Sequence, residues 1–249
     1  MVKNPTLAKI RAGEPALGLA CATGDPILLE MIAHTGFDWI WLETQHGYWT
    51  YEALLRAMQI MGVGGATPIV RPAENNYARI GLALDAGGLG LIVPMVNSVE
   101  EARTVVYNAR YAPLGGRSSG GGRTWAVYGD DYPYKSNDEI LLAVMIETPQ
   151  ALASVDEIAA VEGIDCIFIG PWDLAFSMGV EPSSDEHEAA IARILESATN
   201  AGLAAGFPCG NVESAIARVE QGFKLVHCGS EMGMVRSGLV EVMQALGRA

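Results

Sequence analysis

The stretch LLAVMIETPQALASVDEIAAVEGIDCIFIGPWDL, residues 141–174, decides the fold. It holds two wholly apolar runs, Leu141 to Ile146 and Cys166 to Ile169. Unbroken runs, rather than alternating ones, suit parallel strands covered on both faces. Thr148-Pro149, directly after the first run, sets a capping side chain before a proline at the first helical position. The unit is therefore strand, helix, strand, and it recurs in both directions. Predicted strands are Ala16–Cys21, Trp39–Leu42, Thr67–Val70, Leu89–Val93, Leu142–Ile146, Cys166–Ile169, Ala204–Phe207 and Leu225–Cys228. Asn4-Pro5 and Asp25-Pro26 repeat the cap-and-proline signal, Ser98 with Glu101 forms a capping box, and Gly36 follows the helix from Asp25. Asn211 opens a further helix that Gly222 closes. Eight strands with no linker or composition break predict one closed (β/α)8 barrel over residues 1–249, rather than an open doubly wound sheet.

Composition agrees and narrows the function. Half of the 249 residues are hydrophobic, and a chain of this length can bury a large core. The formal charge of −13 and the lack of a basic stripe argue against nucleic acid as a partner. An anionic substrate would have to be held by local positive charge. Cys21, Cys166, Cys209 and Cys228 lie in or at the ends of strands without CxxC spacing, and read as small buried thiols in a reducing compartment. Met1 to Ile10 has no apolar stretch suited to a signal peptide, and no run of about 18 apolar residues exists for a membrane span, so the expectation is a cytoplasmic protein. One stretch breaks the rhythm. Tyr111 to Asn137, with its run Gly115 to Arg123, is expected to be a long loop covering one end of the barrel, as a mobile lid or a subunit contact. It matches neither a Walker phosphate loop nor a dinucleotide fingerprint.

In such barrels the active site is built at the C-terminal strand ends. Read there, the chain supplies Glu43 and His46 after strand two, Arg71 after strand three, Glu147 after strand five and Gly170-Pro171-Trp172-Asp173 after strand six. Either acid alone reads as a helix-start residue, Glu147 favoured by the dipole and Asp173 as a cap. The pair at successive strand ends reads as a seat for a hard divalent cation. His46 differs from His34, His187 and His227, which read as helical or packed. It follows a strand, with Glu43 three residues earlier to orient it as an acid–base group. Arg71 offers forked donors to a carboxylate or an oxyanion. Asp85 taken alone is an ordinary exposed acid. No lysine ends a strand, which disfavours a Schiff base.

These motifs, from Gly36-Phe37-Asp38-Trp39 through Val70-Arg71-Pro72, Leu91 to Val96, Arg110-Tyr111-Ala112-Pro113 and Ile146-Glu147-Thr148 to Gly170-Pro171-Trp172-Asp173-Leu174, resemble the metal-dependent pyruvate aldolases of the HpcH/HpaI family. The resemblance implies a homo-oligomer, commonly a hexamer, with the eighth helix exchanged between subunits. It implies a magnesium, manganese or cobalt ion on Glu147 and Asp173 and no organic cofactor. His46 would be the acid–base residue assisted by Glu43 and Asp85, and Arg71 would steady the enolate. The backbone at Trp172 and Asp173 would bind the donor carboxylate. The expected reaction joins a 2-oxo acid enolate, from pyruvate or hydroxypyruvate, to an aldehyde. Met145 stands where some relatives carry glutamine against the pyruvate unit, Trp172 where a small residue is common, Pro208 on the acceptor side where an aliphatic residue is usual, and Gln45 where many carry glutamate. Two rival readings are an acyl-CoA lyase of the citrate lyase β-subunit kind, which needs a basic cradle the chain lacks, and a metabolite-binding barrel without chemistry, which needs no base.

Overall fold

Eight strands form: β1 Ala16–Cys21, β2 Trp39–Glu43, β3 Thr67–Arg71, β4 Gly90–Val93, β5 Leu141–Ile146, β6 Cys166–Ile169, β7 Ala204–Pro208 and β8 Leu225–Ser230. The structure is a computed structural model, and it describes residues 2–120 and 122–248. Met1, Gly121 and Ala249 lie outside the described residues, so the expectations for the glycine-rich run and for residues 1–249 concern the others. The helices are α1 Pro5–Arg11, α2 Pro26–Ala33, α3 Tyr51–Gly64, α4 Tyr77–Asp85, α5 Val99–Ala109, α6 Gly122–Tyr128, α7 Tyr132–Glu139, α8 Pro149–Ala153, α9 Val155–Ala159, α10 Pro171–Met178, α11 Asp185–Asn200, α12 Val212–Gln221 and α13 Glu231–Ala245.

The strands pair in parallel in chain order, and β8 returns to β1 to close the barrel. The register sets Glu43 beside Arg71 and Pro208 beside His227. Side chains alternate between two cores. Leu42, Val70, Val93 and Ile146 face the helices, whereas Trp39, Trp41, Ile69, Ile92, Met145 and Phe168 fill the barrel interior. The interior is packed large against small: a Cβ on Gly18 would come within 2.4 Å of the Trp39 ring. Helix α1 plugs the end where the strands begin, adding Leu7 and Ile10 to the interior cluster.

The predicted caps form. Asn4, Asp25, Ser98, Thr148 and Asn211 each accept a backbone N–H at a helix start, and Gly222 ends α12 in the left-handed region at φ 112°. All four cysteines are free thiols, three of them buried. Among the described residues no helix is long and apolar enough to cross a membrane.

The stretch from Tyr111 to Asn137 corrects the expectation of an irregular lid. It holds helix α6 and most of α7, and it packs at the strand-start end. The Tyr128 hydroxyl donates to the Gly87 carbonyl at 2.7 Å, and Asn137 exchanges two hydrogen bonds with the Tyr111 backbone. Tyr128 stacks on Tyr132, and Arg117 lies over Tyr111 and Tyr132. Aromatic and guanidinium packing orders a segment whose apolar periodicity is too weak to be read as helix. Helix α13 is the opposite case: Glu231 is its only described buried residue, and the rest of the helix stands exposed.

Candidate active site

A cavity of about 290 Å³ opens at the C-terminal ends of the strands. Its lining brings together Glu43, His46, Arg71, Met145 and Glu147 from β2, β3, β5 and the turns that follow them. Gly170, Pro171, Trp172 and Asp173 join from the start of α10, and Pro208 from β7. Of the residues singled out in the sequence, Asp85 and Gln45 are absent from it. Asp85 ends α4, which runs back toward the strand-start end, and its carboxylate is taken by Arg117 at 2.8 Å. The expectation that Asp85 assists His46 is therefore corrected within this chain: helix direction carries it away from the pocket.

Glu147 is 2% exposed, and its placement is enforced from two sides. Met95 donates its backbone N–H to Oε1 at 2.6 Å, and to do so Met95 takes a positive φ of 56°, a strained conformation for a residue with a Cβ. On the other side, a Cβ at Gly170 would meet Oε2 at 2.4 Å, so only glycine leaves room for the carboxylate. Burial pushes the Glu147 carboxyl up to about 7; the Asp173 charge and a shared hydrogen bond add to this, while the Met95 amide and Arg71 oppose it. Two acids this close repel when both are ionised, and a divalent cation between them would relieve that repulsion. Among the described residues no group of three or more histidine, cysteine or acid side chains gathers for a metal, here or elsewhere, so the chain offers an ion this pair of carboxylates. The donor set therefore fits a hard ion with positions left for substrate.

Helix α10 begins at Gly170 without a side-chain cap, and Pro171 has no N–H to satisfy. The N–H groups of Trp172 and Asp173 are thereby left at a positive helix end beside the acids, a place suited to a carboxylate.

Glu43 does something different from the predicted orienting of the His46 ring. Its Oε1 accepts the backbone N–H groups of Gln45 and His46 at 2.6 and 2.8 Å, and its Oε2 takes the Arg71 Nε. One buried acid thus shapes the turn after β2 and fixes the guanidinium. Gly47 completes that turn, since a Cβ there would lie 2.1 Å from the Glu43 carbonyl oxygen. His46 stands exposed on the turn at the pocket wall, where its ring can reach a bound molecule. Arg71 spreads over the Trp41 ring at 4.9 Å, with Nη1 4.0 Å from the Met145 sulfur.

Four lining residues were missed by sequence reasoning, Ala20 and Ala22 beside two ring-bearing ones. His227, read there as packed, lines the pocket, as does Trp41. The Trp41 ring packs edge-on against His227 at 5.4 Å and Phe168 at 5.2 Å. His227 Nδ1 accepts the Gly229 N–H at 3.1 Å. Burial, then the charge of Arg71, hold the His227 pKa down at about 4, so the ring is neutral at ordinary pH. The signal available was position: with period two, residues 225, 227 and 229 of β8 share the interior face.

Comparison with known proteins agrees with this geometry. Residues 17–237 match the family model described as HpcH/HpaI aldolase/citrate lyase. A hydroxypyruvate/pyruvate aldolase of Delftia acidovorans is 36% identical over 238 residues, covering 94% of this chain and 88% of that protein. A 2-keto-3-deoxy-L-rhamnonate aldolase of Klebsiella pneumoniae is 35% identical over 214 residues, covering 83% of this chain and 79% of the relative. Among solved structures, an HpcH/HpaI aldolase/citrate lyase family protein from Burkholderia cenocepacia superposes with a TM-score of 0.93 at 27% identity, over 98% of this chain and 99% of the other.

Proposed function

This chain belongs to the HpcH/HpaI aldolase/citrate lyase family and is a carbon–carbon lyase of the metal-dependent aldolase class, and on that premise we propose that it joins pyruvate or hydroxypyruvate to an aldehyde and cleaves the aldol in reverse. The substrate class is supported by the activities named for its relatives and by a pocket built for a small anion. The observation that carries the reading is the buried Glu147 beside Asp173 and the uncapped start of α10, with Arg71 in the same cavity.

Glu147 and Asp173 would hold the divalent cation, magnesium, manganese or cobalt, which supplies the electrophile that makes the carbon next to the keto group acidic. Nothing in the lining asks for an organic cofactor. The N–H groups of Trp172 and Asp173 bind the substrate carboxylate. Arg71, with Nε anchored by Glu43, turns its remaining donors to the oxygen that gains negative charge when the C–H proton leaves. His46 moves the proton, taking it from that carbon and returning it to the alkoxide formed on the aldehyde; in cleavage the order reverses. Among the described lining residues Arg71 is the one arginine or lysine, which leaves no cradle for the phosphates of an acyl-CoA.

The reading includes the cytoplasm, in keeping with four free thiols, and a homo-oligomer, hexameric by resemblance, in which α13 crosses to a neighbouring copy.

Proton exchange tests the core of it. Pyruvate in heavy water with the metal-loaded protein should lose its methyl proton signal, and a chelator should stop the loss. His46→Ala should lower aldol turnover by about 10²–10⁴-fold while leaving metal binding intact. A silent methyl group, together with a silent methylene in hydroxypyruvate, with metal present would reject the reading.

A further inference from the structure

One sector of the pocket is used by none of these steps. The carboxylate pair follows β5 and β6, and Arg71 ends β3. Toward β7, β8 and β1 the lining is Pro208, His227, Ala20 and Ala22, small or apolar side chains around one imidazole. At this depth barrel interiors are usually filled with apolar side chains, as Trp41 and Phe168 are here. His227 is the polar member of that layer.

Its ring is set in one state. The Gly229 N–H pointing at Nδ1 requires a lone pair there, so the proton of the neutral ring sits on Nε2. Among the described residues Nε2 makes no hydrogen bond. The neighbouring Trp41 Nε1–H is buried and also has no partner. Unpaired donors cost stability unless water or a ligand accepts them. A buried Trp41 N–H without a partner and an open His227 N–H on the adjoining ring, both in the lining of the substrate cavity, point to an oxygen atom arriving with the substrate.

The position selects which part of the substrate. A 2-oxo acid seated on the carboxylate pair, the α10 start and Arg71 leaves this sector open for the molecule that approaches its nucleophilic carbon. A donor without charge matches an acceptor without charge. We propose that the His227 Nε2–H binds the hydroxyl oxygen of a short 2-hydroxyaldehyde, making the enzyme selective for hydroxylated over plain alkyl acceptors. This assignment rests on the aldolase reading.

Glycolaldehyde and propanal have the same number of heavy atoms and differ in that hydroxyl. With pyruvate as donor and the metal-loaded protein, kcat/KM should favour glycolaldehyde, and His227→Phe, which keeps a ring against Trp41 but has no N–H, should lower that ratio about tenfold. His227→Gln, which restores an N–H, should recover most of the preference. An unchanged ratio in His227→Phe overturns the proposal. So does a fall in the hydroxypyruvate-to-pyruvate ratio with the aldehyde ratio unmoved, because the ring would then face the donor. Pyruvate proton exchange, which involves no aldehyde, is read on the same preparations. Its absence in the unaltered protein is the failure of the aldolase reading, whereas its presence with a flat aldehyde ratio is the failure of this one.

Discussion

At Gly170 one missing atom decides whether Glu147 can stand where it does. A Cβ there would sit 2.4 Å from Oε2 and 2.7 Å from the Glu147 Cβ, with the side chain walled in by Met95 on the other face. Gly170→Ala should therefore displace the carboxylate and weaken divalent-ion binding by about tenfold or more, with near-native circular dichroism; manganese titration by calorimetry measures it, and unaltered affinity would contradict the role given to Gly170. His227 makes a prediction about pH. Its folded pKa of about 4 lies below the ordinary 6.5, so unfolding takes up a proton between those values and stability falls as pH drops through that window. Subtracting the pH dependence of His227→Phe from that of the unaltered protein isolates the effect, expected on the order of 2 kcal/mol between pH 7.5 and 4.5 by urea denaturation. The pocket acids, Arg71 and His46 were legible in the sequence because each follows an apolar run at a strand end. Met95 and Gly170 were not legible as supports of Glu147, because their parts depend on a backbone angle and a missing Cβ that composition does not reveal. Asp85 falls outside the pocket of its own chain because α4 runs back toward the strand-start end, a direction that likeness to relatives does not carry.

Elements follow from simpler rules, and their limits are equally physical. Strand β2 runs on to Glu43, β3 to Arg71 and β8 to Ser230, past the apolar runs that announced them. Glu43 and Arg71 point into the pocket and Ser230 caps α13, none of them entering a core, so hydrophobicity stops short of the backbone ladder. Helices α6 and α7 escaped notice because tyrosines and Arg117, instead of an apolar stripe, hold them down. Helix α1 shows how a seven-residue helix becomes a rigid plug. Asn4 caps it by accepting the Leu7 N–H at 2.9 Å, and its Nδ2 donates to the carbonyls of Leu89 at 2.7 Å and Glu139 at 2.9 Å. One buried side chain ties the helix start to the residue before β4 and to α7. Asn4→Ala should cost about 2–4 kcal/mol, more than a surface cap, because the two amide hydrogen bonds to Leu89 and Glu139 are lost along with the cap. Denaturant midpoints would show it; a loss below about 1 kcal/mol would mean that water replaces the amide without penalty.

The whole molecule leaves one surface that a lone barrel does not explain. Met232, Val235, Leu239 and Met243 recur at helical spacing on α13 and are 48, 54, 63 and 40% exposed. With Leu28 of α2 and Thr23 after β1 they line a groove of about 580 Å³. An apolar stripe of that length facing water is normally covered. Every other helix that follows a barrel strand buries an apolar side, whereas α13 buries only Glu231, whose carboxylate accepts the Thr23 N–H at 2.8 Å and pins the helix base to the end of β1. A helix fixed at its root and bare beyond it is suited to reciprocal exchange, since two copies related by a two-fold axis can each cover the groove of the other. The sequence announces the stripe but not its cover, because the pattern that marks a core face is the same whether the core belongs to the chain or to a second copy. Light scattering should give a mass that is a multiple of 26.4 kDa, and a midpoint of unfolding that rises with protein concentration. Leu239→Asp combined with Met243→Asp puts two charges into the stripe and should shift the mass toward 26.4 kDa and remove the concentration dependence. The barrel interior is untouched by these changes, so circular dichroism should stay close to that of the unaltered chain. A monomeric mass for the unaltered protein at micromolar concentration would mean that α13 is covered by something other than its own kind.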